Sequence, residues 1–226
     1  MELDSYQAAE RTAGPRTEMK VHMKKLLKLT GLALAALVML AGCGRPAKYP
    51  NYYTLHLPSP PDPPPPENVH ATLAVREFRS PGYLRQGAIV YKISPEQIGF
   101  YNYHRWAVDP HEFVTNAVTE QLRTSGNFSR VKPYDGRLDV DYVLSGRLDD
   151  LEEIDYDGGV KVQVAISAQM VSVATGATLW TNSVSEVGTV SQRDVPAVVA
   201  AMNATMARAI EKLLTPAPAA APSKTN

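Results

Sequence analysis

Cysteine is nearly absent from this chain of 226 residues, which contains only Cys43. A single thiol cannot form a disulfide within the chain, so small disulfide-stapled folds are excluded and a hydrophobic core must provide the stability. The five histidines are scattered, and none has a partner four residues away with which it could bind a metal on a helix. We therefore expect neither a metal nor a cofactor.

Two classes of function lack their sequence signatures. The chain has no G-x-S-x-G nucleophile elbow, no H-E-x-x-H pair and no glycine-rich phosphate loop, so we expect that it is not an enzyme. It holds 23 basic and 23 acidic residues, of which 17 and 19 follow residue 42. That part has no positive surplus with which to neutralise phosphates, so we expect no nucleic acid as a partner.

The most apolar stretch is too short to cross a membrane. Leu29–Ala41 has 13 residues, whereas a membrane-spanning helix needs about 20. Lysines precede this stretch and the small residues Ala41 and Gly42 end it, which is the order of a secretory signal peptide. Residues 1–42 are therefore predicted to be a signal peptide. Residues 1–18 are polar and untypical of one, which makes Met19 or Met23 an alternative start.

The only cysteine directly follows this predicted signal. Leu40-Ala41-Gly42-Cys43 resembles the lipobox of bacterial lipoproteins, in which the thiol receives a diacylglyceryl group and the signal is cleaved before it. We therefore predict lipid attachment at Cys43. Two acyl chains anchor a protein durably, at about 0.8 kcal/mol per buried methylene. Position 44 is glycine, not the aspartate that marks inner-membrane retention in enteric bacteria, so a periplasmic, outer-membrane location is favoured.

The chain after Cys43 is predicted to form one domain between two irregular ends. Residues 43–50 are a short tether, residues 51–214 the domain and residues 215–226 a disordered tail. Inside the domain, Pro58 to Asn68 contains seven prolines in eleven residues, which predicts a semi-rigid spacer. A proline-rich recognition motif is the alternative for this insert.

Hydrophobic periodicity predicts an α+β fold. Alternating apolar residues indicate strands over 51–57, after Thr72, over 87–93 and over 98–106, and three longer strands between residues 138 and 187. Helices are predicted after Asp109, with Glu112 completing a capping box, and from about Asp194 to Leu214. We expect a two-layer domain in which both amphipathic helices pack on one face of a mixed, mostly antiparallel sheet.

Two side-chain groups invite a functional interpretation. The acidic residues between Asp149 and Asp157 are predicted to form a solvated hairpin tip; the alternatives are a partner-facing acidic surface and a metal site, whose calcium-loop spacing is missing. The aromatic cluster could support the fold or an interface. It comprises Tyr91, Phe100, Tyr101, Tyr103 and Trp106.

Several segments in order resemble the family of ABC-type transport auxiliary lipoproteins, the PqiC-like lipoproteins of MCE-domain lipid transport systems. The segments are the lipobox, "YYTL", "ATLAVREFRSPGYLRQGAIVYK", "YHRWAVDPHEFVTNAVTEQL" and "RDVPAVVAAMNATMARAIEKLL". The resemblance implies a non-catalytic, membrane-anchored accessory subunit that contacts an MCE-domain protein, and some members assemble into rings. Arg85, Arg105 and Trp106 match family positions and are candidates for partner contact.

A second resemblance indicates a different class of lipoprotein. The pattern "DYVLSGRLDDL" followed by "GATLW" is similar to outer-membrane lipoproteins that activate a peptidoglycan synthase or serve a secretion pore. Both interpretations imply a protein that acts by docking rather than by turnover, and they differ in the partner.

Overall fold

A computed structural model describes residues 22–32, 48–58, 70–156 and 158–219. The predicted lipid-attachment residue Cys43 and the lipobox residues Leu40, Ala41 and Gly42 lie outside these ranges. So do residues 59–69, which make up nearly all of the proline-rich insert, and the end of the predicted tail. The predictions for these segments stay predictions.

The chain divides into two units, Met1–Lys48 and Tyr49–Asn226. In the first unit, residues 22–32 are helical and are called α1 here. None of the described helices is both long and apolar enough to span a membrane.

The described residues of the second unit form eight strands and two helices. The strands are β1 (Asn51–Tyr53), β2 (Thr72–Val75), β3 (Ala88–Ser94), β4 (Gln97–Trp106), β5 (Arg130–Pro133), β6 (Tyr142–Ile154), β7 (Lys161–Ser172) and β8 (Thr178–Thr189). The helices are α2 (Pro110–Thr124) and α3 (Val195–Leu213), and a short 3-10 turn spans Leu84–Gln86.

The sheet is organised around β6. One edge of β6 pairs antiparallel with β7, which pairs antiparallel with β8. The other edge is shared by two parallel partners, β2 beside the first half and β3 beside the end. Beyond them, β5 runs parallel to β2, β4 antiparallel to β3, and β1 parallel to β4. The predicted mixed, mostly antiparallel sheet is confirmed.

The two faces of the sheet differ in what covers them. Leu144, Leu148 and Leu151 of β6, with alternate residues of β7 from Val162 to Met170, point to one face and are buried in the main core. Val114 and Val118 of α2 and the apolar stripe of α3 belong to the same core, so both helices pack here as predicted. We call this the helix face and the opposite one the open face.

Close approach across the helix face depends on two glycines. A Cβ on Gly146 of β6 would overlap the ring of Phe78, a fully buried core residue. A Cβ on Gly188 of β8 would overlap Oγ1 of Thr205, so this glycine lets α3 lie directly on the sheet. Glycine in a strand often marks such a site.

The predicted N-terminal cap is present in α3 but not in α2. Asp194 caps α3 as predicted, because its Oδ1 accepts a hydrogen bond from the Ala197 N–H at 2.8 Å. Asp109 occupies the N-cap position of α2 but makes no side-chain capping bond. Its Oδ1 lies 3.5 Å from Nδ1 of His111 instead.

Strand lengths also differ from the prediction. The first strand ends at Tyr53 instead of residue 57, and β5 was not predicted at all. The acidic residues expected at a hairpin tip belong mostly to β6, which continues to Ile154. The hairpin itself is where the sequence predicts it, between β6 and β7.

Candidate functional site

Arg85, Arg105 and Trp106, the three predicted partner-contact residues, lie close together in the fold but differ in exposure. Arg85 is exposed on the 3-10 turn. Arg105 is half-buried at the end of β4, and its Nη1 donates a hydrogen bond to the Gln86 carbonyl at 3.2 Å, so it holds this turn against the strand. Of the two arginines, Arg85 is therefore the one that is exposed to solvent.

Trp106 has a different position. Trp106 is only 6% exposed and belongs to the main core, while its backbone N–H donates to the Gly87 carbonyl at 2.7 Å. Burial on this scale favours a role in the fold, and partner contact is better assigned to the two arginines. Their role as partner contacts stays a prediction.

The aromatic residues of β3 and β4 form a connected cluster. The Tyr91 and Tyr101 ring centroids are 5.0 Å apart, and the Tyr101 ring meets His104 edge-on at 5.7 Å. Tyr53 of β1 joins through its hydroxyl, 2.9 Å from Nδ1 of His104. These contacts tie the edge strand β1 to the sheet, which favours the structural interpretation for most of the cluster; Tyr103 is partly exposed.

The acidic group is not a solvated tip, because Glu152 is 0% and Glu153 5% exposed. The reason is the pairing of β3 beside the end of β6, which makes this part of β6 an interior strand. Since neighbouring residues of a strand point to opposite faces, the two carboxyl groups have separate surroundings.

Glu152 is held by one lysine. Its Oε1 lies 2.6 Å from Nζ of Lys92. Burial raises the pKa of Glu152 and the lysine opposes that shift, with burial the larger effect. Nearby, burial and the charges of Glu152 and Asp150 raise the pKa of Tyr83 to about 12, so this phenol stays protonated at neutral pH.

Glu153 is held by a neutral donor. The Tyr101 hydroxyl donates a hydrogen bond to its Oε2 at 2.8 Å. Burial raises the pKa of Glu153, and the hydrogen bond from Tyr101 only partly opposes it. No group of three or more metal-ligating side chains with the geometry of a metal site occurs among the described residues.

A groove lies on the open face of the sheet. Its volume is about 660 Å³, and it is lined by residues of β6 and β7 together with the segment that follows β2. We call it the arginine groove because three arginines line it. Its lining includes Arg76, Arg79, Arg147, Leu138, Gln169 and Val171.

Two backbone segments bring these arginines together. After β2 the chain continues beside β6, with the Arg76 N–H donating to the Leu144 carbonyl at 2.8 Å and the Arg79 N–H to the Gly146 carbonyl at 3.0 Å. Arg79 and Arg147 thereby form a parallel bridge and stand side by side.

The groove has a charged part and an apolar part. Arg76 stacks its guanidinium 4.2 Å from the Tyr134 ring centroid, and Arg147 Nε lies 2.7 Å from Asp149 Oδ1. Glu77 also lines the groove, but its carboxylate is 3.1 Å from Nε2 of His111. The apolar part includes the strongly exposed Leu138 and adjoins a small second core of Ala74, Val140 and Val143.

The arginine groove was not predicted from the sequence. The alternation of β6 puts Arg147 opposite the apolar residues, which was a usable signal. The pairing of Arg79 with Arg147 leaves no signal in the sequence, because the bridge joins segments that are far apart along the chain.

The fold is a two-layer α+β domain, with α2 and α3 on one face of the sheet. The family model for the ABC-type transport auxiliary lipoprotein component matches residues 53–213, so the chain belongs to that family. The description is of an auxiliary transport component rather than a class of enzyme, and a lipoprotein family indicates a location in the cell envelope. No curated protein matches the sequence.

Solved structures support the same fold at low sequence identity. Protein XCC0632 from Xanthomonas campestris, of the family DUF330, is 17% identical, with a TM-score of 0.62 over 73% of this chain and 92% of that one. An uncharacterized protein, also 17% identical, has a TM-score of 0.57 over 74% and 98%. The PelC dodecamer from Paraburkholderia phytofirmans is 17% identical over 67% of this chain and 90% of that one, with a TM-score of only 0.41.

Proposed function

We propose that this chain is the lipid-anchored, non-catalytic accessory subunit of an MCE-domain, ABC-type lipid transport system. The observation that carries the proposal is the family match over residues 53–213, nearly the whole folded domain. The lipobox ending at Cys43 supports the anchor, since it places an acylated residue directly before the tether. In this proposal the domain faces the periplasm from the outer membrane.

Contact with the MCE-domain protein is proposed through the surface around Arg85. This side chain is exposed, and the bond from Arg105 to the Gln86 carbonyl fixes the turn that presents it. Exposed charges at a protein interface set association rate and specificity more than affinity. A reversed charge at position 85 is therefore expected to weaken recognition without unfolding the domain.

Purification of the natively lipidated chain after crosslinking in its own membranes tests the proposal. The expected result is recovery of an MCE-domain protein, identified by mass spectrometry, together with copies of this chain if the proposed homo-oligomer forms. Arg85→Glu should reduce that recovery severalfold, whereas Arg130→Glu, which changes another exposed arginine, on β5, should not.

One result would contradict the transport role, and another would contradict only the proposed contact surface. Recovery of a peptidoglycan synthase or a secretion-pore protein in place of an MCE-domain protein would establish the rival function. Equal recovery with Arg85→Glu and Arg130→Glu would leave the transport role intact and reject the proposed contact surface.

A further inference from the structure

The geometry points to a ligand site in the arginine groove: this cavity binds the headgroup of an anionic phospholipid. The inference rests on the proposed function only for the presence of lipid near the protein. Its own evidence is the charge, shape and position of the groove.

The arrangement of charge calls for an anion. Arg79 and Arg147 occupy directly paired positions of neighbouring segments, where like charges are destabilising. Asp149 compensates Arg147, but no described residue forms an ion pair or hydrogen bond with the Arg79 side chain. An anion beside Arg79 would remove the repulsion between the two guanidinium groups.

A phosphate is the anion that suits these donors. A guanidinium presents a planar fork of N–H groups that matches phosphate oxygens, and such charge-assisted bonds are stronger than neutral ones. Arg76 and Arg147 are already oriented, by the Tyr134 ring and by Asp149. Two of the three arginines therefore lose little side-chain freedom on binding.

The rest of the cavity favours an amphiphile over an acidic peptide. A volume of about 660 Å³ is within the range of small-molecule pockets, about 300–1,000 Å³. Extended peptides bind mainly by adding a strand to a free sheet edge, and both edges of β6 and of β7 are already paired beside the groove. Exposed Leu138 and partly buried Val171 offer apolar contact for the glycerol and upper acyl region.

A binding experiment on the natively lipidated full chain in neutral detergent micelles tests the inference. The probe is headgroup-labelled phosphatidylglycerol, with phosphatidylcholine as the zwitterionic comparison. We expect phosphatidylglycerol to bind, Arg79→Gln to weaken binding about tenfold or more, and Arg79→Lys to have an intermediate effect because it keeps the charge and loses the fork. Arg130→Gln is the matched control and should bind like the unchanged chain.

A thermal readout separates binding from folding. Phosphatidylglycerol should raise the Tm of the unchanged chain and of Arg130→Gln but not that of Arg79→Gln. Without lipid and at low salt, Arg79→Gln should have an equal or higher Tm than the unchanged chain, because the substitution removes a like-charge pair.

Four results would overturn the inference. They are equal lipid binding by Arg79→Gln and Arg130→Gln, equal binding of the two lipids, displacement of the lipid by millimolar inorganic phosphate, and preferential displacement by an acidic peptide. Recovery of the MCE-domain protein with Arg79→Gln distinguishes the two proposals. If the groove binds no lipid but this recovery persists, only the groove assignment fails; if lipid binds and no such partner is recovered, only the transport assignment fails.

Discussion

Among single residues, the neighbouring acids Glu152 and Glu153 are both buried on β6, and each carboxyl group has a different partner. Each points to its own side of β6, where one meets the Lys92 ammonium and the other the Tyr101 hydroxyl. An ammonium compensates a carboxylate charge, whereas a phenol only donates a hydrogen bond. Glu153 makes no ion pair among the described residues, and the charge of Arg193 lowers its pKa less than burial raises it. Glu153 is therefore the acid whose ionisation should affect stability most clearly.

Glu153→Gln is expected to stabilise the domain at pH 7 and to matter less at pH 4. Because the pKa of Glu153 is raised on folding from 4.5, its stabilising contribution is complete below the unfolded pKa and is lost as pH rises through the folded pKa. Glutamine keeps an acceptor for Tyr101 and never ionises. Thermal unfolding at several pH values between 4 and 7 measures the difference.

The matched control for this prediction is Glu211→Gln, on the exposed side of α3. Its Tm should follow that of the unchanged chain across the same pH range. An identical pH dependence for Glu153→Gln and the unchanged chain would show that burial of this carboxyl group carries no ionisation cost.

At the scale of secondary-structure elements, the two helices differ in how their first turns are held. The Asp194 carboxylate accepts from the Ala197 N–H, whereas the Asp109 side chain turns to His111 and leaves the first turn of α2 without a side-chain cap. Both helices have proline in the first turn, which already suits a helix start. The cap is thus an additional stabilising contact in α3 only.

Asp194→Ala is expected to lower the free energy of unfolding by about 0.5–2 kcal/mol, the usual cost of losing an N-cap. Asp194→Asn keeps a side-chain acceptor and should lose little. Asp109→Ala should cost less than Asp194→Ala because it removes no capping bond. Urea unfolding of the three variants measures the order, and an equal loss for both alanine variants would contradict it.

Hydrophobic periodicity predicted the elements in which one face is buried and the other exposed, because that difference appears in the sequence as alternating apolar and polar residues. Alternation from Val162 to Met170 marks β7 because one face of that strand is buried under α3. Arg130–Pro133 has no such pattern, and it becomes β5 only through its long-range pairing with β2. The same limit applies to the acidic residues of β6, whose burial depends on β3.

The candidate site was predictable only in part for the same physical reason. A linear motif identifies Cys43, since the lipobox is contiguous. The arginine groove has no contiguous signal, because Arg79 and Arg147 meet through a backbone bridge between distant segments. The conflict of like charges becomes visible only once that bridge is known.

Across the molecule as a whole, the two sheet faces differ: one is covered by helices, and the other carries the groove proposed to bind lipid. The main core lies between the sheet and the helices α2 and α3, and its buried residues run from Leu73 to Leu213. The open face carries the arginine groove, and neither α2 nor α3 packs on it. Substitutions of exposed groove residues should therefore change binding without a large loss of stability.

Attachment to the membrane should likewise be separable from folding. Cys43→Ala removes the only thiol of the chain and with it the predicted site of acylation, while the buried core residues that the structure describes lie between positions 73 and 213. We expect the variant to fold with an unchanged Tm but to leave the membrane fraction and to lose its role in lipid transport, because without two acyl chains durable anchoring is lost. Fractionation after a salt wash, with Gly44→Ala as the control that keeps the lipobox, measures this. Retention of Cys43→Ala in the washed membranes would show that the anchor lies elsewhere.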